Sequence, residues 1–261
     1  MRSGNPMLRE SAFTSAAQAA RMGTGGVAAA SGMTLNGVVN RTAILFLAMM
    51  GTAAYVWYAF ARAIAEQNEQ RLGVLGGAIM VALVIGLIAA LVTTFKRDWA
   101  GVTAPIYALA EGVVIGGISL FTEMQFPGIV LQAVLLTLGV FAVLLFAYRS
   151  GLIKATENFK LMVVSATGAI ALVYLVDIGL MFFGIRIPMI HEGGTYGIIF
   201  SLIVVGIAAL NLVLDFDFIE KGVEVGAPKY MEWYAAFGLL VTLIWLYLEI
   251  LRLLVKIRGR N

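Results

Sequence analysis

The chain has 261 residues, of which 61% are hydrophobic and only 13% charged, with 18 Lys or Arg against 15 Asp or Glu for a formal net charge of +3. A soluble domain carries roughly 25% charged residues, and at a mean hydropathy of +0.94 there are too few polar side chains to cover a water-facing surface. An ordinary soluble globule is excluded, and with 0 Cys so are a disulfide framework, a thiolate metal site and a catalytic thiol.

Residues 1–40 are rich in Ala, Gly, Ser and Thr, carry scattered Arg2, Arg9 and Arg21, and lack the continuous apolar run of a signal peptide. They read as a flexible tail in which Ser11 to Met22 is a candidate surface helix capped by Ser11. Seven apolar segments follow, at 42–61, 73–95, 102–122, 128–148, 161–183, 195–214 and 233–254. The first, second and fourth contain no charged residue, and each is long enough to span roughly 30 Å of hydrocarbon at about 1.5 Å per residue. The longest connections, 184–194 and 215–232, leave no room for a soluble domain. The prediction is an all-α polytopic membrane protein: a seven-helix transmembrane domain over 41–256 and a short basic tail over 257–261. Glycines recur inside the segments (Gly76, Gly77, Gly86, Gly112, Gly116, Gly117, Gly139, Gly168, Gly206). Small-xxx-small spacing such as Gly112 to Gly116 lets helices approach closely in lipid, and packing is the default reading of all nine.

Lys and Arg in short flanks set orientation. With the N-terminus inside, eleven cations fall on the inner side (Arg2, Arg9, Arg21, Arg41, Lys96, Arg97, Arg149, Lys154, Lys160, Lys221, Lys229) and Arg62, Arg71 and Arg186 on the outer. Seven crossings would put Arg252, Lys256, Arg258 and Arg260 outside as well; a re-entrant segment would return them. The cytoplasmic N-terminus and seven crossings are favoured, and the net charge of +3 points to cytoplasmic loops rather than nucleic-acid binding.

An ionisable residue inside a spanning segment costs about 2.5 to 3.5 kcal/mol on insertion scales, which makes each one a functional candidate. Glu111 lies near the middle of the third segment and is expected to face the bundle interior. Asp177 lies nearer the outer end of the fifth. Glu249 and Arg252, three apart in the seventh, are placed to pair on one helix face. The run Asn211-Leu212-Val213-Leu214-Asp215-Phe216-Asp217-Phe218-Ile219-Glu220-Lys221 closes the sixth. Asp215 and Asp217 are about 200° apart around a helix, so they face one partner only if the helix unwinds. Asp215 shares a face with Asn211, and Asp217 and Glu220 read as solvated end-of-helix charges.

Several chemistries drop out. A retinal Schiff base needs a buried lysine in the last helix, and the seventh segment has none before Lys256. An intramembrane serine protease needs a buried histidine, whereas the one histidine, His191, falls in the Pro188 to Gly194 loop. No zincin motif is present, and Gly23 to Gly26 does not join a strand to a helix as a phosphate loop does. An enzyme is not expected, and no cofactor is implied.

Arg2-Ser3-Gly4-Asn5-Pro6, the run Met33-Thr34-Leu35-Asn36-Gly37 with Asn40-Arg41-Thr42, Glu111-Gly112, and Leu214-Asp215-Phe216 resemble the bacterial, YccA-like branch of the Bax inhibitor-1 family (transmembrane Bax inhibitor motif-containing proteins) over nearly the whole chain. The resemblance implies a seven-helix bundle with the last helix central, located in the bacterial inner membrane. It also implies a pH-sensitive calcium leak, calcium being the permeating ion. Some bacterial relatives instead modulate a membrane-bound protease, and as a regulatory protein this chain would present its N-terminal tail to such a partner.

In the family an aspartate pair joins helices six and seven near the cytoplasmic mouth, and a basic residue at the end of helix two competes for it. Asp215, with Ile219 four later, matches the helix-six member, and Lys96 or Arg97 stands at the basic position. Thr242 stands where the second aspartate belongs, so either Asp217 or Glu232 substitutes or Thr242 hydrogen-bonds to Asp215 directly. Glu111, Asp177, Asn211 and Glu232 are the candidates to line the cation path, and Asp215 is the candidate for weak, transient calcium contact. A proton-coupled transporter using Glu111 and Asp177 is a third reading, against which stands the lack of an inverted repeat.

Overall fold

The computed structural model describes residues 32–184, 187, 190 and 193–259. The candidate helix Ser11–Met22, Arg186 and His191 lie outside the described residues. Seven helices long and apolar enough to cross a membrane account for almost all of the rest: α1 Leu35–Ala65, α2 Glu69–Phe95, α3 Ala100–Gln125 (led by a 3₁₀ turn, Arg97–Trp99), α4 Ile129–Arg149, α5 Glu157–Met181, α6 Thr195–Glu224 and α7 Met231–Arg258. The protein is an all-α polytopic membrane protein.

Helix ends follow capping chemistry rather than the limits of the apolar runs. The Thr34 hydroxyl accepts the Gly37 N–H at 3.0 Å, so α1 starts seven residues before the apolar segment and takes Arg41 into its second turn. The expected tail 1–40 is therefore shorter by the α1 turns at 35–40. Thr156 caps α5 in the same way. α6 runs ten residues past Leu214 and ends in a Schellman turn: Gly226 sits at φ +64, and the Ala227 N–H reaches the Gly222 carbonyl at 3.0 Å. Asp215, Asp217 and Glu220 thus lie within continuous helix. Lys256, expected among charges beyond the last crossing, is inside α7 and buried.

The described chain packs as two compact units. The first comprises residues 32–127 and 219–240: α1, α2, α3, the last turn of α6 and the first turns of α7. Here the small-residue spacing does what it predicts. A Cβ on Gly112 would overlap Thr52 and the Met49 carbonyl, and one on Gly116 would stand 2.6 Å from the Ala53 carbonyl oxygen, so α3 packs backbone to backbone on α1. Phe60, Val56 and Leu120 fill the next layer, and Tyr107 meets Phe237 edge to face at 4.9 Å. Gly76, Gly77, Gly139, Gly168 and Gly206 instead border open space.

The second unit comprises residues 128–218 and 241–259: α4, α5, most of α6 and the rest of α7. Phe216 packs between Phe141 and Tyr148, 5.8 Å from each ring. The large exposed side chains of α4 and α5, such as Leu131, Phe146, Leu161 and Leu175, are the apolar surface that lipid must cover. α7 and α3 are the most buried of the seven helices, and α7 contributes to the core of each unit in turn.

Candidate functional site

In the second unit residues 211–217 of α6 meet residues 160–167 of α5. Asp215 is completely buried. One turn earlier Asn211, also buried, donates through Nδ2 to Thr167 Oγ1 of α5 at 2.8 Å and to the Ile207 carbonyl at 2.8 Å. Two residues after Asp215, Asp217 accepts an ion pair from Lys160 Nζ at 2.9 Å, with the lysine side chain only 7% exposed. Lys160 also reaches Glu157 Oε1 at 3.4 Å. The helix does not unwind between the two aspartates, so Asp215 and Asp217 leave it in different directions, as the 200° offset requires. Asp217 is a paired, part-buried charge rather than a solvated one, whereas Glu220 is exposed as expected.

Thr242 is buried in the same unit. It lies eleven residues into α7 and Asp215 nine from the end of α6, so both stand roughly 14–17 Å from the turn that joins the helices at about 1.5 Å per residue. Asp177, buried near the end of α5, accepts the backbone N–H of Ile187 through Oδ1 at 3.3 Å and so ties down the connection to α6. Towards the far end of α7, Glu249 and Arg252 pair at 3.1 Å as their spacing predicts. Tyr174 donates to Glu249 at 2.9 Å and accepts from Arg252 at 2.6 Å, and Trp245 Nε1 adds a further donor at 3.3 Å. Lys256 donates to the Gly197 carbonyl at 3.1 Å and to Ser201 Oγ at 2.8 Å.

In the first unit Glu111 is half-buried on α3, with its carboxylate 3.5 Å from where a Cβ on Gly86 of α2 would stand. Glu232, in the first turn of α7, is fully buried and collects four contacts: the Thr34 N–H at 3.0 Å, the Thr34 hydroxyl at 2.9 Å, Arg41 at 3.0 Å and Lys229 at 2.7 Å. Gly37 must lack a side chain because a Cβ there would overlap that carboxylate. The Met33 N–H bonds the Ala227 carbonyl at 2.6 Å, so residues 32–41 strap the α6–α7 turn. Glu232 serves as the anchor of this strap. Arg41 also stacks over Trp233 at 5.2 Å, Arg97 over Tyr234 at 5.6 Å and Lys96 over Trp99 at 4.9 Å. Burial and the nearby Asp98 push the Tyr230 phenol above its ordinary value, against the pull of Arg97.

Among the described residues no three His, Asp or Glu side chains gather as a metal site. Two participants went unseen in the sequence. Lys160 reads there as a flank cation, although Thr156 four residues earlier carries the capping signature that puts it inside a helix. Lys256 lies seven residues from Glu249 on the same face of α7, a spacing that could have flagged it.

No curated protein and no solved structure gives a significant match to the chain. The sequence profile described as Bax inhibitor 1 like matches residues 5–259. Its span takes in the strap motif around Thr34 and Gly37, the Glu111-Gly112 contact and the Asp215 turn alike, and the chain belongs to the Bax inhibitor 1 like family.

Proposed function

We propose that the protein is a pH-sensitive cation leak in the bacterial inner membrane, with its N-terminus in the cytoplasm, calcium as the permeating ion and protonation of the carboxylates around Asp215 as the gate. The observation that carries this reading is a completely buried aspartate on a membrane-spanning helix, two residues from a part-buried Lys160–Asp217 ion pair. A carboxylate in low dielectric prefers to hold a proton. Losing that proton adds a negative charge to the packed end of α6, which a passing cation relieves. Calcium takes six to eight oxygens at about 2.3 to 2.6 Å; one carboxylate with neighbouring hydroxyls and carbonyls gives it a weak, transient stop, which suits transit. The chemistry is conduction rather than catalysis. Family membership supports the reading, and the excess of cations in alternate connections supports the orientation.

The test is flux into liposomes holding a trapped calcium dye. Wild type is expected to leak more than empty liposomes, with a rate that depends on pH, and Asp215→Asn to flatten that dependence. Flux equal to that of empty liposomes at both acid and neutral pH ends the proposal.

A further inference from the structure

Arg41 of α1 and Lys229 of the α6–α7 turn share a single carboxylate. Glu232 receives Arg41 Nη1 on Oε2 at 3.0 Å and Lys229 Nζ on Oε1 at 2.7 Å, and its own side chain is fully buried beneath them. Two cations meet one anion, so one positive charge is left over. The remaining charged groups described at this end of the first unit, Lys96, Arg97, Asp98, Glu220, Lys221 and Glu224, cancel among themselves.

The donors are not used up either. Arg41 Nη1 serves both Glu232 and the Gly37 carbonyl, whereas Nη2 makes no hydrogen bond among the described residues. Lys229 is exposed, and an ammonium has three N–H groups, of which Glu232 takes one. Because both side chains hold the two oxygens of one carboxylate, their free N–H groups are close enough for one tetrahedral anion to meet both.

Depth in the membrane says which anion. Arg41 is the last residue before the apolar run that opens at Thr42, and Lys229 stands four residues before the run that opens at Trp233, so both lie at the headgroup level. Trp233, half-buried under the Arg41 guanidinium at 5.2 Å, is the kind of amphipathic ring that marks that boundary. A lipid phosphodiester carries one negative charge and matches the surplus, whereas a phosphomonoester carries about 1.5 to 2 near pH 7. A zwitterionic headgroup would bring its own cation to a site that already has one too many. We infer that Arg41 and Lys229 form a pincer for the phosphate of a net-anionic phospholipid, seated against Trp233 where α1 and α7 begin.

The test uses the full chain in neutral detergent, with phosphatidylglycerol, phosphatidylcholine or inorganic phosphate added and bound lipid counted by native mass spectrometry. Wild type is expected to hold its first phosphatidylglycerol about 5- to 30-fold more tightly than phosphatidylcholine, the worth of one to two basic side chains. Lys229→Gln removes the surplus charge and brings that ratio near one, and Lys229→Arg keeps it. Lys96→Gln with Arg97→Gln takes twice the charge from the same end and leaves the ratio in place, which separates a built site from a diffuse positive field. Equal affinity for the two lipids, a preference that survives Lys229→Gln, or one lost in the Lys96 and Arg97 variant overturns the inference. Displacement of the lipid by inorganic phosphate makes the site one for a free anion and overturns the lipid assignment.

Discussion

Thr34 and Glu232, 198 residues apart in the chain, are joined by two hydrogen bonds, one from the threonine N–H at 3.0 Å and one from its hydroxyl at 2.9 Å. The same hydroxyl accepts the Gly37 N–H, so one side chain starts the first helix and seats the last. The run Met33-Thr34-Leu35-Asn36-Gly37 thereby acquires a physical reason: a capping threonine, a glycine where a carboxylate passes, and an arginine one turn on to neutralise it.

Removing that carboxylate should be costly but survivable. Breaking a buried ion pair typically costs about 3–5 kcal/mol when the abandoned charge stays buried. Arg41 and Lys229 are 24% and 44% exposed and can hydrate, so Glu232→Ala is expected below that range, at about 2–3 kcal/mol. Gly37→Ala should loosen the strap as well, by steric overlap with Glu232. Thermal unfolding in detergent reads both, and a Gly37→Ala variant as stable as wild type would contradict the geometry.

Two glycines on lipid-spanning helices should respond in opposite directions to one added methyl. At Gly116 the Cβ meets Ala53 backbone at 2.6 and 2.9 Å, so Gly116→Ala must separate α1 from α3 and lower the melting temperature. At Gly139 nothing lies within 4 Å, and Gly139→Ala should gain about 0.5–1 kcal/mol of helix propensity. Melting the two variants side by side checks the sign of each.

At the other end of α7, Arg252→Ala leaves Glu249, only 2% exposed, with Tyr174 and Trp245 as donors and without its counter-ion. A loss of about 3–5 kcal/mol is expected. Tyr174→Phe removes one hydrogen bond to a charged group and should cost about 1.5–3 kcal/mol. The ordering of the two, measured by unfolding in detergent, is the discriminating result.

The turn between α1 and α2 supplies a pH prediction. The Glu66 carboxylate accepts from Arg62 at 2.7 Å and Arg71 at 2.9 Å, and the hydrogen bond from Arg62 first of all holds it below its ordinary value of 4.5. A depressed carboxylate adds its stability above the unfolded-state value and loses it as pH falls through the lowered one. A spin label on exposed Gln70 should keep constant mobility from neutral pH down to about 4.5 and loosen only below it. Glu66→Gln should show the looser state throughout.

Helix number, spans and the Glu249–Arg252 pair were legible in the sequence because they depend on composition and on spacing of three or four residues. The Gly112–Gly116 contact was legible for the same reason. Helix ends were not, since the Thr34 cap and the Gly226 turn lie outside the apolar runs that mark a span. The burial of Lys160 and Lys256 escaped because a lysine near a segment end reads as solvated until its partners, Asp217 and Ser201, are brought to it by tertiary packing. Glu232 was picked out, but its anchor role needs Thr34 and Arg41, which no local pattern connects to it.

Both compact units borrow from distant stretches of chain: the one built on α1, α2 and α3 also needs residues 219–240, and the other is closed by residues 241–259. Insertion in order of synthesis therefore cannot finish either unit early. The first helix enters the bilayer with its cap in place but its anchor still to be made, and waits until nearly the whole chain has followed. A protein truncated after α5 would lack the closing segments of both units, so damage late in the chain should be felt at its beginning, where Arg41 would be left without the carboxylate of Glu232.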